Sequence, residues 1–591
     1  MGAYRWDVLA AGYVNLATGD VVFPEVGPAA VLAGANYPGT SNYPVPSSNV
    51  IFVSPTGNNA NAGTQVAPKQ TIQAAISAVT SGGTIVLREG TYKESIAAPA
   101  NKVLKMQAYP YEEVWLDGSA VYSSWTANGN GTWTTPYSIT HVRFDVTTTN
   151  GGNGYKGDDP YRNHPDQVWV DGVPLQQIAD NTTPGTGQFS VNQTADTLTI
   201  GANPSGKTVR VSEHATALVF SDVAELRGFG IRRYSPNAIE GMNSMVYFGG
   251  TSAGSIVENM YFCESAMDSL NISKMNFRVS YCTFQDNGHS GIMTTRSDGL
   301  VIENCIFRRL NKGQWQAEPT TAAVKVTVAD NITIRYCHVS ECPKAYGLWY
   351  DVSCMRSYLY GNTVEGGGTM MNCIELELSD GGVINGTQHY SIVASNRLTN
   401  AAGKNAAASL LLFDTGYVKV YNNLLTGSGI PLYLWQDERI NNNSTIQNVR
   451  SFEECPWRTR GNQVANNIMS SGVGANIQFA AYAQVGNFGL LGANMFDKFV
   501  GNWLAPNPPG SMAQLGKSDG SRNSYNTISA LAAAGSEVGA ITGKVGANHQ
   551  GTTAPANTIA EPLPADVAAL LGVPAGLQVV GPVTPTLTLK D

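Results

Sequence analysis

The sequence predicts an all-β chain wound as a parallel β-helix solenoid, with a short N-terminal capping helix and a small β insertion. Three observations predict it. The 591 residues include 63 glycines and only 14% charged residues, and short Val/Ile/Thr/Tyr runs bounded by turn residues recur throughout, as strands do. Eight six-residue segments repeat without gaps: "VENMYF", "VSYCTF", "IENCIF", "IRYCHV", "LYGNTV", "VASNRL", "VYNNLL" and "VANNIM". Their last residues, from Phe262 to Met469, are separated by 22, 23, 32, 25, 34, 27 and 44 positions. The smallest spacings are about one coil, and the larger ones are coils with loops let in. The third observation is that strands following these segments alternate apolar and polar residues with a period of two.

Residues 1–47, with scattered Gly and Pro, read as a separate N-terminal attachment segment. Their start, "MGAYRWDVLAAGYVNLATGD", lacks the basic-then-apolar pattern of a secretory signal. Trp6 occupies the Ser/Thr position of a myristoylation motif, and the sequence has no long apolar run suited to a membrane span. Such a chain is cytosolic, stripped of a signal, or released by another route, such as a virus particle freed by lysis.

Residues 48–120 read as a capping helix and the first coils. Thr71 is the expected N-cap, and Ile72, Ala75, Ile76 and Val79 form the apolar stripe. A helix here covers the open apolar end of a solenoid. Residues 121–213 alternate like hairpins around "DG" and "NPSG" turns and read as a β-rich insertion.

Residues 214–475 are the main β-helix. In the repeat register Cys282, Cys305 and Cys337 fall in one column, which Asn362, Asn396, Asn423 and Asn467 continue. A solenoid places the same position ~4.8 Å above the last, so the Asn side chains can bond along the stack and the Cys can pack as small apolar groups. Most of the eight Cys are therefore expected reduced, in keeping with synthesis in a cytoplasm. Beyond about 475 the ladder fades, and residues 476–591 read as a loop-rich region packing on or capping the solenoid.

The blocks "VSPTGNNANAGTQVAPKQTIQAAI", "GGTIVLREGTY", "QVWVDGVPLQQ", "GLWYDVSC", "LYLWQDER" and "PLPADVAALLGVPAG" resemble the right-handed parallel β-helix repeat proteins common in actinobacteria, within the pectate-lyase-like superfamily. The resemblance runs from about residue 50 to 582 and speaks for fold more than reaction, because that superfamily holds lyases, glycosidases, esterases and non-catalytic binders. With its unrelated head and reduced cysteines, the chain is also similar to bacteriophage tailspikes and minor tail proteins. That resemblance implies a virion tail location, a homotrimer, and docking on other tail proteins through residues 1–47.

Alternation sends Val324 and Val326 inward and Lys325 outward, and Leu348 and Tyr350 inward with Trp349 and Asp351 outward. In "CIELELS" Glu375 and Glu377 point out, and in "LYLWQDER" Tyr433, Trp435 and Asp437 do. These positions are expected to line one wet groove, with Lys325, Trp349, Tyr433, Trp435, Asp437 and Arg439 as substrate-binding residues. Indoles beside paired carboxylates suit a saccharide: one acid protonates the leaving oxygen and a second carboxylate attacks or activates water. Some β-helix glycosidases use an Asp in a "GLW-x-D"-like strand and a Glu on the next coil. By that resemblance Asp351 is nucleophile or base and Glu377 the acid, with Glu375 its rival. Val352 and Gln316 depart from the related bacterial pattern, and either change could abolish activity.

His289 in "DNGHSGI" is a lyase-base candidate, though a lone turn histidine is more often structural. Arg458 and Arg460 could pair with a substrate carboxylate or with the acidic groove. "DGSRNS" and "NGN" resemble calcium loops only superficially, so no metal and no cofactor is assigned. With 36 Lys+Arg against 44 Asp+Glu, a net charge of −8, a nucleic-acid partner is disfavoured. The expected function is a phage tail protein that binds and depolymerises a host cell-envelope polysaccharide. The alternatives are a secreted, extracellular β-helix glycosidase or polysaccharide lyase, and a receptor-binding protein that holds glycan without cleaving it.

Overall fold

The computed structural model describes residues 31–139, 141, 164–236, 244–250, 253–313, 320–401, 408–439, 441, 450–472, 477–484, 490–504, 512–551 and 559–590, and the backbone of Tyr4–Asp7, Gly12–Asn15 and Val21–Val22. Gln316 and the side chains of residues 1–30 lie outside the described residues. The chain divides into two compact units. One comprises residues 1–33, 294–308 and 323–590, and the other residues 34–293 and 309–322.

Three stacks of parallel strands build the first unit, each coil contributing one strand to each stack. Two inward columns of one stack are apolar: Leu348, Ile374, Leu410, Leu432 and Phe479 sit in one register row, and Leu376, Leu412, Leu434 and Ala481 in another, all fully buried. Burying such a side chain stabilises by roughly 1.5–3 kcal/mol, and the repeat adds that term coil after coil.

The column of asparagines is a hydrogen-bonded ladder. Asn362 Nδ2 donates to Asn396 Oδ1 at 3.0 Å, Asn396 to Asn423 at 3.0 Å, and Asn423 to Asn467 at 2.9 Å. The ladder does not end there, as the sequence reading had it. Asn467 donates to Asn502, and Asn502 to Asn548, both at 3.0 Å, so coils continue inside the stretch read as loop-rich. Each ladder residue from Cys305 to Asn502 follows one in the left-handed region, including Tyr336, Ser395, Asn422 and Asn466 at φ 54° to 59° and Gly361 and Gly501 at 67° and 70°. That turn costs a non-glycine residue roughly 1–2 kcal/mol. The ladder bonds, about 1 kcal/mol each net, offset it.

The C-terminal helix Ala565–Leu571 lays Val567, Ala568 and Leu571 on Tyr360, Ile392 and Tyr421. Close to the C-terminus, Leu587–Leu589 pairs in parallel with Val31–Ala33.

Parallel coils also form the second unit, beginning at Val50–Val53. Its helix Ile72–Ala78 is capped by Thr71, whose hydroxyl accepts from Ala74 N at 3.2 Å. The Glu94 carboxylate accepts from Ile72 N and Gln73 N at 2.8 and 3.0 Å. Two small sheets between Ser119 and Ser212 enclose their own core of Tyr137, Phe189, Leu198, Ile200 and Val211. Within the stretch read as an attachment segment, Ala35 N donates to Thr283 Oγ1, Asn36 N donates to Asn259 Oδ1, and Tyr37 meets Trp115 and Tyr261 edge-on. All eight cysteines are buried thiols outside any disulfide.

Candidate active site

The outward residues singled out from the sequence gather on one stack of strands in the first unit. Register pairs Trp349 with Glu375, then Leu411 and Tyr433, and it aligns Glu377 with Phe413, Trp435 and Tyr482. Continuing the Tyr350–Leu376 pair by one residue brings Asp351 beside Glu377, their backbones one strand spacing or ~4.8 Å apart across the sheet.

The expectation of a wet face is overturned. Lys325 is 4% exposed, Trp349 3%, Glu375 2% and Glu377 8%. The side chains cover one another through ion pairs and ring contacts between strands. Lys325 Nζ lies 2.9 Å from Asp351 Oδ2 and 3.4 Å from the centre of the Trp349 ring. Tyr346 lies 4.3 Å from the same ring, centre to centre. Trp349 is therefore no open platform for a sugar. Its Nε1 donates to Glu377 Oε2 at 3.1 Å, which makes it a positioning residue for that carboxyl. The other indole, Trp435, is half-exposed and stacks on Phe413 at 4.6 Å, with the Tyr433 ring nearly parallel to it at 5.8 Å.

Arg439 holds the acidic cluster together. Nη1 lies 2.5 Å from Glu377 Oε1, and Nε donates to Asp437 Oδ2 at 2.9 Å. Nη2 approaches Asp414 Oδ2 to 3.1 Å, yet neither atom has a partner in hydrogen-bond alignment, so that contact is Coulombic attraction without a directed bond. The guanidinium also covers the Phe413 ring at 4.3 Å.

Burial raises the Glu377 carboxyl to about 7, with Asp351 adding to the shift and Arg439 opposing it. Glu375 is pushed well above the ordinary carboxylate range, chiefly by burial and then by Glu377, although Asn372 Nδ2 donates to it at 2.7 Å. Asp414 rises to about 9 through burial, against the pull of Arg439. Its Oδ1 accepts from Gln436 Nε2 and Asp437 N at 2.7 and 2.8 Å. Three carboxyls raised to neutrality or above it, beside the ammonium-paired Asp351, can supply a proton and a nucleophile within one cluster.

Sequence reasoning passed over Asp414, Asn372 and Phe413. The signal for Asp414 was present, since "LLLFD" ends its strand on an aromatic–Asp pair as "GLWYD" does. The remaining candidates have other partners. In the second unit His289 is 1% exposed, with Nδ1 2.7 Å from Asp268 Oδ1 and Nε2 2.9 Å from Thr321 Oγ1. Arg460 lies 3.7 Å from Asp380, and burial and Arg460 lower the Arg458 guanidinium. "DGSRNS" runs from the turn after Ala513–Gly516 into the antiparallel strand Arg522–Tyr525, and in the turn Asp519 accepts from Ser521 N.

A family model for the right-handed β-helix region matches residues 211–396. The chain is a right-handed parallel β-helix. It is 30% identical over 131 residues to pectate lyase PEL9 of Emericella nidulans, a stretch covering 20% of this chain and 32% of that one. It is 29% identical over 104 residues to the uncharacterized protein YwoF of Bacillus subtilis, 17% of this chain and 21% of the relative. The matches thus span a third or less of either relative. Among solved structures, the complex of XylC with xylose superposes with a TM-score of 0.56 at 16% identity, over 73% of this chain and 77% of that one. One of these proteins is named a pectate lyase and another was solved with xylose.

Proposed function

We propose that this β-helix is a glycosidase that cleaves a host cell-envelope polysaccharide. The observation that carries the reading is the pairing of Asp351, ion-paired to Lys325, with Glu377 one strand away and raised to about 7. Glu377 protonates the glycosidic oxygen as the bond to the anomeric carbon breaks. Asp351 attacks that carbon and forms a glycosyl ester. Water then gives its proton to Glu377 and displaces Asp351, which restores both groups. A double displacement of this kind needs the two carboxyls ~5–5.5 Å apart, against ~6.5–9.5 Å for an inverting enzyme, and the register sets the two residues on adjacent strands. Arg439, bound to Glu377, must release it when saccharide enters.

Elimination on a uronate is less well supported. A lyase needs a group to neutralise the substrate carboxylate, and Lys325 and Arg439 already face acids. The setting on a phage tail, as a homotrimer docked through residues 1–47, rests on the sequence resemblance. Reducing-end release from purified envelope polysaccharide tests the activity, with absorbance of unsaturated products read alongside. Release lost in both Asp351→Asn and Glu377→Gln, without unsaturated product, supports the glycosidase. No release by the wild type, with glycan still bound, makes this a receptor-binding protein.

A further inference from the structure

A second cleft, of about 450 Å³, lies in the first unit between the strands Met355–Tyr360 and Ser391–Ala394 and the C-terminal helix Ala565–Leu571. Its volume falls in the range of small-ligand sites, roughly 300–1,000 Å³. Tyr358, Tyr390, Gln388 and His389 line it and are all half-exposed. Tyr390 is held in place: its hydroxyl accepts from Gln463 Nε2 at 3.3 Å, and its ring stands edge-on to Tyr417. The helix contributes Asp566, but Lys419 Nζ lies 2.5 Å from its Oδ2 and 4.6 Å from the Tyr390 ring centre, so this charge is answered within the wall. Gln388 Nε2 is tied to the carbonyls of Gly382 and His389, which leaves its Oε1 as the atom available to accept. Ring surface, an amide oxygen, an imidazole and a balanced ion pair together match an uncharged, hydroxyl-rich ring.

We propose that this cleft is a second saccharide-binding site, taking one or two units of an uncharged glycan. It rests on the reading of the acidic groove in one respect, that a single polymer engages both. Strand Met355–Tyr360 follows strand Tyr346–Asp351 after residues 352–354, so Tyr358 and Asp351 belong to one coil. A polymer held at one site would meet the other at high effective concentration, and avidity would exceed either affinity alone.

Titration calorimetry on the full chain tests this with neutral hexasaccharides of xylo-, gluco-, galacto- and manno-configuration. The expected result, for at least one probe, is two bound per wild-type chain, falling to one in Tyr390→Ala or His389→Ala and to one in Trp435→Ala. Tyr390→Phe keeps the ring and should keep both sites, and a loss of folding in Tyr390→Ala would leave His389→Ala to decide. One bound per chain, lost only in Trp435→Ala, overturns the cleft and leaves the groove standing. One bound, lost only in the Tyr390 and His389 variants, upholds the cleft and counts against the groove. No binding of any probe overturns the cleft.

Discussion

Glu377 sits between two opposing influences. Burial and Asp351 raise its carboxyl, and Arg439 pulls it back to about 7. Its protonated form is the catalytic acid, so kcat should fall as pH rises through about 7. Glu377→Gln should lose ~10²–10⁴-fold in kcat, and the residual rate should lack that limb; a pH–rate profile of both proteins checks it. If Glu375→Gln removes the limb instead, the acid is Glu375. Asp414 permits a test by stability. Its folded-state value of about 9 stands far above the ordinary ~3.9 of an unfolded Asp. The folded state therefore binds the extra proton, and stability present below about pH 4 is lost progressively up to about pH 9. Asp414→Asn, neutral at every pH, should flatten that decline, on the order of 1 kcal/mol per pH unit in the wild type. Thermal melts from pH 5 to 9 compare the two; parallel curves would remove Asp414 from the account.

The ladder is the element on which the coil geometry depends. Asn423 Oδ1 accepts from Asn396 N and Nδ2, and its Nδ2 donates to Val393 O and Asn467 Oδ1. Removing that amide strands several buried partners, each costing ~1–3 kcal/mol. Asn423→Ala should therefore destabilise by about 3 kcal/mol or more, measured by denaturant unfolding, and a cost below ~1 kcal/mol would make the column incidental. The ladder was legible as far as Asn467 because the six-residue repeat is gapless there. Asn502 and Asn548 escaped because their coils carry long loops and their strands are only two residues, Trp503–Leu504 and His549–Gln550, too short to show a period. Which strands would share a face was legible from alternation alone. That the face would be covered was not, since Lys325 over Trp349 and Arg439 over Phe413 are contacts between residues 24 and 26 positions apart.

For the whole molecule, the tailspike resemblance predicts three chains per particle. Light scattering on the purified protein should give about three times the 62.7 kDa chain mass, and a monomer would separate this chain from tailspikes while leaving the groove chemistry untouched. The N-terminal stretch shows how a reading by composition differs from one by contact. Gly and Pro in residues 1–47 marked it as separate, whereas Ala35, Asn36 and Tyr37 lie against Thr283, Asn259, Trp115 and Tyr261. Backbone donors and a ring edge carry no periodic signal, so composition could not show them docking.

By itself the sequence determined the parallel coil, its inward columns, the capping helix behind Thr71 and the row of acids, because each is a periodic or local property of the chain. The tertiary structure alone decided which acids are buried, that Trp349 grips Glu377 instead of offering its face, and that Arg439 bridges Glu377, Asp437 and Asp414. Those outcomes depend on distances between coils, and the loops let into each coil set how far apart in sequence such neighbours fall.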